Sequence, residues 1–236
     1  MKEIKTFVET HFDTVFSEKP DIEYEFDIRR MSWKGRMIIR SLLKHGIKGK
    51  KCLDVGPGTG RWLQFLKRNH ASYLGAVDIS EESLGRGSKL CNKTQKADVE
   101  TDKFGFESNF FDIVISIEIL EHLRNPESYL SEIVRVTKNG GIILMSIPNI
   151  VSFISRIRML FGLLPTAIAS DKTHVRFYRK KDIVRLFAPL NLLPQFIPTY
   201  ISLNPFNRKS WFSIPSTKLL SSFDDSLLFL IHVVKQ

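Results

Sequence analysis

In the run EILEH, Glu118, Glu121 and His122 stand with E-x-x-E-H spacing, and a second histidine, His174, lies in THVRFY. Imidazole changes charge near neutral pH, so His122 and His174 are the candidate acid–base groups. The carboxylates beside them suggest a second chemistry. Hard oxygen ligands together with imidazole can hold Mg²⁺ or another divalent ion near an acceptor oxygen. The spacing by itself assigns no metal site; Glu118, Glu121, His122 and His174 are the residues that would supply one. Cys52 and Cys91 fit no metal or redox spacing.

The second chemical signal is KCLDVGPGTGRW, Lys51–Trp62. An apolar run ends in Asp54, and Gly56, Gly58 and Gly60 follow. Glycines at such a turn let backbone approach a ligand closely. A phosphate-cradling loop would need lysine and a hydroxyl after its last glycine, but Arg61 and Trp62 stand there. A dinucleotide fingerprint would place its third glycine at position 61, which is Arg61. Asp78 closes the next apolar run, 20 residues after Gly58, where an acid can accept both ribose hydroxyls of a nucleotide.

The elements that must position these residues alternate. KCLDVG, SYLGAVD, QKADVE, FFDIVISIE and GIILMSIPN read as strands, the fourth strongly β-branched. GRWLQFLKRNH, SEESLGRGSKL and NPESYLSEIVRVTKNGG read as helices, with Ser80 a helix cap, Pro126 in a first turn and glycines closing the third. Such alternation predicts an α/β fold: a doubly wound, mostly parallel sheet with helices on both faces. The strand C-termini then share one edge, where ligands of open α/β sheets bind.

On these residues the chain resembles the class I S-adenosylmethionine-dependent methyltransferases. LDVGPGTG is similar to their first motif, AVDIS to their second and KADVE to their third. FFDIVISIEILEHLRNP and KNGGIILMSIPN resemble the fourth- and fifth-strand signatures, so the likeness covers about residues 48–150. The resemblance implies a seven-stranded Rossmann-like sheet, with SLLFLIHVVKQ as a closing antiparallel strand. It implies S-adenosyl-L-methionine as cofactor, with Gly56, Gly58 and Gly60 beneath its amino-acid portion and ribose. Asp78 would take the ribose hydroxyls, Asp98 the adenine amine, and Val99 a backbone contact. Ile79 would lie against the adenine face, Asp54 would orient the loop and the ammonium, and Glu118, ending the fourth strand, would serve the cofactor pocket. H-x-R-x-[FY] segments like that around His174 recur in small-molecule members, and E-x-x-E-H resembles ubiquinone-pathway O-methyltransferases and some RNA 2′-O-methyltransferases.

Methyl transfer to a base amine would call for an [NDS]-P-P-[YF] clamp after the fourth strand, and pyrimidine C5 transfer for a cysteine nucleophile; SIEILEH has neither. Transfer to oxygen of a small-molecule, glycan or lipid-linked acceptor is the leading expectation. An RNA methyltransferase and a cofactor-binding partner protein without turnover are the alternatives. Residues 151–236 carry a net charge of +8 out of +10 for the chain, yet show no RNA module and little basic–aromatic interleaving, which argues against nucleic acid. Within 151–164, Phe153, Ile154, Ile157, Leu160, Phe161 and Leu164 share a helical face beside Arg156 and Arg158. That pattern suits peripheral contact with a membrane or a lid over the acceptor pocket. Residues 1–47, with Met37, Ile38, Ile39, Leu42 and Leu43, suggest a helical lid; 48–150 the cofactor-binding core; and 151–236 a substrate-side insertion with the closing strands of the same domain. Without an apolar leader or membrane span, a cytoplasmic setting is expected, with contact at the inner membrane surface as its extension.

Overall fold

The computed structural model describes residues 2–17, 31–169, 171–202, 213–217 and 224–235. Helices are α1 (Lys2–Ser17), α2 (Trp33–His45), α3 (Arg61–Arg68), α4 (Glu81–Ser88), α5 (Pro126–Val136), α6 (Phe153–Leu160), α7 (Thr166–Ala169) and α8 (Lys180–Phe187). Strands are β1 (Lys51–Val55), β2 (Tyr73–Asp78), β3 (Lys93–Lys96), β4 (Phe111–Ile117), β5 (Thr137–Pro148), β6 (Gln195–Ile197), β7 (Tyr200–Ser202), β8 (Ser213–Pro215) and β9 (Ser226–His232). The main sheet has seven strands in the order β3-β2-β1-β4-β5-β9-β6, and β7 and β8 form a separate hairpin. The first five strands pair in parallel, and β9 inserts antiparallel between β5 and β6. The closing antiparallel strand and the seven-stranded count agree with expectation.

Side chains alternate across each strand, and both faces are covered. Leu53 and Val55 of β1, with Ile143 and Met145 of β5, pack toward Tyr129, Ile133, Ile183 and Phe187 of α5 and α8. Cys52, Ile113 and Leu144 face the other layer, with Ile38, Ile39 and Leu42 of α2 and Phe65 and Leu66 of α3. Strand order reverses about β1 and β4, so the crevice between their C-terminal ends is the ligand edge.

Four local expectations need correction. The third strand is Lys93–Lys96, so Asp98 lies beyond it in a turn, held where Thr101 N donates to its carbonyl. α5 passes directly into β5, and Gly140 and Gly141 lie within that strand rather than at a helix end. The segment around Met37–Leu43 is no lid: Ile38, Ile39 and Leu42 are at most 2 % exposed and belong to the core. Residues 18–30 of the expected lid fall outside the described residues. Finally, the helix in 151–164 stops at Leu160, and its apolar residues divide. Ile154 is buried, whereas Leu160, Phe161 and Leu164 point to solvent.

Candidate active site

β1 delivers the glycine turn to the edge, and the turn is tied to its neighbour where Gly56 N donates to Val77 O (2.8 Å). Gly56, Gly58 and Gly60 have φ of +72°, +56° and +75°. Side chains rarely adopt this left-handed region, so the local need for glycine is conformational. Space adds a second reason: a Cβ on Gly56 would lie 2.2 Å from Ile119 Cδ1, and one on Gly58 3.2 Å from the Phe16 ring.

Asp54 is fully buried just before this turn, and neither of its carboxylate oxygens has a hydrogen-bond partner among the described residues. Burial, reinforced by the charge of Asp78, pushes its acid up to about 8. An orphaned acid beside a glycine turn suits a cofactor with a cationic amino-acid head. At the end of β2, Asp78 Oδ1 accepts from Ser80 N (3.0 Å) and Oδ2 from Ser83 Oγ (2.6 Å). Burial still raises its acid against these bonds. Ser80 caps α4 by accepting from Ser83 N (3.1 Å), which fixes the loop carrying Ile79. Asp98 Oδ1 accepts from Glu100 N (3.0 Å), and Val99 is half-buried beside it. Asp54, the three glycines, Asp78, Ile79, Asp98 and Val99 therefore lie along the C-terminal ends of β1, β2 and β3.

The chain leaves β4 through Glu118, a non-glycine residue at φ +58°, a costly conformation kept only where the surroundings enforce it. Here Glu118 N donates to Ser146 O (2.9 Å), while Glu118 Oε1 accepts from Ser146 Oγ (2.7 Å) and pairs with Lys34 Nζ (3.1 Å). The next turn, Leu120–His122, holds the histidine cluster. The carbonyl of Glu121 accepts from Val175 N (2.9 Å) and Arg176 N (3.0 Å), which brings His174 to His122; their ring centroids are 4.8 Å apart. One ligand atom from each of Glu121, His122 and His174 falls within a 4.8 Å group. Glu118, fourth of the suggested metal ligands, turns instead to Ser146 and Lys34.

Hydrogen bonds fix the histidine tautomers. His174 Nδ1 is 2.6 Å from the Ala167 carbonyl, which can only accept, so Nδ1 carries a proton, and in the neutral ring Nε2 would hold the lone pair. That Nε2 faces Glu121 Oε1 at 3.9 Å. Thr173 Oγ1 is 2.6 Å from Asp171 Oδ1 and donates to it, so the hydroxyl accepts from His122 Nδ1 at 3.0 Å. His122 Nε2 is then also free of a proton in the neutral ring. Burial, and then the charge of His174, lowers the His122 pKa. Glu121 is 1 % exposed, and both its oxygens lack hydrogen-bond partners among the described residues. Burial, and then the charge of Glu118, raises its acid well above the ordinary carboxylate range. Two imidazoles and an orphaned carboxylate thus converge.

Sequence reasoning missed Lys34, Asp171, Thr173 and the helix-α1 residues Phe12, Asp13 and Phe16. Phe12 sets its ring edge-on to His122 at 5.4 Å, and Asp13 Oδ1 accepts from Ser80 Oγ at 2.5 Å. Only Asp171 and Thr173 carried a usable signal, being neighbours of His174 in DKTH.

The sequence profile of a family described as a methyltransferase domain matches residues 29–192. A ubiquinone biosynthesis O-methyltransferase of Dechloromonas aromatica is 28% identical over 170 residues, 69% of this chain and 72% of that protein. A Thermotoga maritima structure described as a SAM-dependent methyltransferase, possible histamine N-methyltransferase, has a TM-score of 0.65 at 18% identity, over 94% of this chain and 99% of the other. Magnesium protoporphyrin IX methyltransferase of Synechocystis, solved with bound S-adenosylhomocysteine, has a TM-score of 0.62 at 15% identity, over 97% and 99%. At such identities these structures speak for the fold.

Proposed function

Since the chain belongs to the class I S-adenosylmethionine-dependent methyltransferases, we propose that it methylates a hydroxyl oxygen of a small or lipid-linked acceptor. The observation that carries this reading is the pair of imidazoles, His122 and His174, each held at Nδ1 by the protein, beside the edge between β1 and β4. The cofactor supplies a methyl group already activated by a sulfonium. The protein must hold that donor, align the acceptor and remove the hydroxyl proton. Asp78 and the glycine turn do the holding, Ile79 and Val99 border the adenine, Asp98 accepts its amine, and Asp54 faces the cationic end. Glu118, anchored by Lys34, shapes the wall between cofactor and acceptor. His122 takes the proton at Nε2. Its Nδ1–H stays on Thr173, whose hydroxyl is in turn held by Asp171. Burial keeps the ring neutral near pH 7, as a base requires. Similarity to ubiquinone biosynthesis O-methyltransferases supports an oxygen acceptor. Transfer of a labelled methyl group to a panel of catechols, quinols and polyprenyl phenols tests the reading. Transfer only to amines, or only to RNA, would overturn it.

A second reading rests on the orphaned Glu121 carboxylate. Glu121, His122 and His174 form a donor set for a divalent ion that would place a Lewis acid beside the acceptor oxygen. One carboxylate and two imidazoles suit Zn²⁺ or Mn²⁺ better than Mg²⁺, which prefers oxygen ligands. Elemental analysis of protein purified without chelator, compared with Glu121→Ala, decides between ion and proton chemistry at these residues.

A lipid-linked acceptor has support in the surface beyond α6. Met159, Leu160, Phe161, Leu163 and Leu164 are exposed together, Leu160 at 80 %, next to Arg156 and Arg158. A compact apolar tip flanked by arginines suits peripheral contact with an anionic bilayer. Among the described residues no helix is long and apolar enough to cross a membrane.

A further inference from the structure

Helix α1 meets the rest of the protein along the ligand edge. Glu9 Oε1 pairs with Lys96 Nζ at the end of β3 (2.6 Å). Phe12 lies edge-on to His122. Asp13 Oδ1 accepts from Ser80 Oγ (2.5 Å) and, more weakly, from Glu82 N (3.4 Å) at the start of α4. Phe16 places its ring against Gly58, and its carbonyl accepts from Arg86 Nη2 (2.7 Å). These four residues are spaced i, i+3, i+4 and i+7, which is one face of a helix. That single face therefore touches the loop after β1, the loop after β2, the end of β3 and the histidine turn after β4.

The stacking is continuous. Phe16 and Phe12 are one turn apart with nearly parallel rings (19°, centroids 6.3 Å apart), and Phe12 leads to His122 and His122 to His174. Aromatic rings thus run from the glycine turn to the acid–base pair. A ligand approaching the glycine turn from solvent meets the Phe16 ring. One approaching His122 meets Phe12, from the same helical face.

We infer that α1 is a shared gate: Phe16 closes the cofactor side, Phe12 closes the acceptor side, and the bonds of Asp13 to Ser80 and of Arg86 to the Phe16 carbonyl latch both at once. This rests on the reading that the glycine turn holds S-adenosylmethionine. One motion then opens both half-sites, and exchange of cofactor product is coupled to uncovering the base. The Glu9–Lys96 pair adds little to the latch, because Lys96 is 42 % exposed and such surface pairs are weak. Asp13 and Phe16 carry it.

A gate and a fixed wall differ in kinetics. Weakening a gate speeds entry and exit together, because the same opening serves both directions. Weakening a wall that touches the ligand chiefly speeds exit. The test is surface plasmon resonance of S-adenosylhomocysteine on the immobilised full chain, comparing wild type with Asp13→Ala and Phe16→Ala. Asp13→Ala lies on the peripheral helix, outside the sheet core, and a thermal melt checks that each variant is folded. Loss of the charge-assisted latch is expected to raise both association and dissociation rates about tenfold or more, with a smaller change in Kd. Binding by Phe16→Ala where wild type binds too slowly to measure supports the gate as well. Unchanged rates in both variants, or faster dissociation with unchanged association, would overturn the gate and leave the cofactor reading standing. Failure of every form to bind would remove both.

Discussion

The two halves of the ligand edge are built on different principles. The half proposed for the cofactor is local: Asp54 to Gly60 is one turn, and Asp78 to Ser83 is one strand end with the helix cap that follows it. Its geometry comes from backbone, through positive-φ glycines and the capping bonds of Ser80 and Ser83. The half proposed for the acceptor is assembled from a distance. His122 and His174 meet because the Glu121 carbonyl accepts two amides of the 174–176 segment, and Glu118 is held by Lys34 of α2. A surface read largely by backbone suits a ligand common to a whole family, whereas one read by distant side chains can change acceptor without disturbing the cofactor. The halves should therefore respond separately to mutation.

The largest effect is expected on turnover. His122→Ala should lower the methyl-transfer rate about 10²- to 10⁴-fold, the usual range for loss of acid–base function. Affinity for S-adenosylhomocysteine should stay within about twofold. Initial-rate assays paired with calorimetry would show this. A parallel loss of cofactor affinity would merge the halves that the geometry separates.

Asp78→Ala is the converse. Losing charge-assisted bonds to the ribose should weaken S-adenosylhomocysteine by about 10- to 150-fold, with turnover at saturating cofactor much less affected. Equal loss in both quantities would place Asp78 in the chemistry as well as in binding.

A smaller, pH-dependent effect follows from Asp54. Its acid is near 8 in the folded protein, against an ordinary value of 3.8. Between these values the unfolded chain has lost the proton while the folded chain keeps it, so folding takes up a proton. The contribution of Asp54 to stability is then full below about pH 4, falls as pH rises, and levels off above about pH 8. The slope approaches ~1.4 kcal/mol per pH unit for one proton. Urea melts at pH 5, 6 and 7 should show wild type weakening with pH and Asp54→Asn with a flatter slope. Equal slopes would mean that Asp54 is ionised in the empty protein.

The smallest effect concerns the tip beyond α6. Phe161→Ser should lower partitioning onto anionic vesicles about three- to tenfold, since only part of the side chain leaves water. Binding should also weaken with salt. Co-sedimentation that ignores both lipid charge and this substitution would favour a soluble acceptor.

The same division explains what the sequence made legible. The parallel sheet followed from apolar runs alternating with helical periodicity, and the glycine turn after β1 from a motif within a few residues of chain. The E-x-x-E-H run offered Glu118, Glu121 and His122 as one cluster, and the structure gathers only Glu121 and His122 of these with His174. In a turn, spacing does not fix side-chain direction, and the left-handed Glu118 aims elsewhere. Met37–Leu43 looked amphipathic enough for a lid, but an apolar stripe does not say whether it covers a sheet or a cleft. Residues of α1 left no readable signal, since Glu9, Phe12, Asp13 and Phe16 gain meaning only when set against loops far along the chain. The short α6 ended earlier than its apolar pattern because periodicity marks a face and not a boundary.

The central claim is that the turn after β1 and the acid ending β2 hold S-adenosylmethionine. Isothermal titration of the full chain with S-adenosylhomocysteine and, separately, with NAD⁺ tests it most directly. The prediction is one S-adenosylhomocysteine bound per chain and no NAD⁺. Saturable binding of NAD⁺ in place of S-adenosylhomocysteine would contradict it.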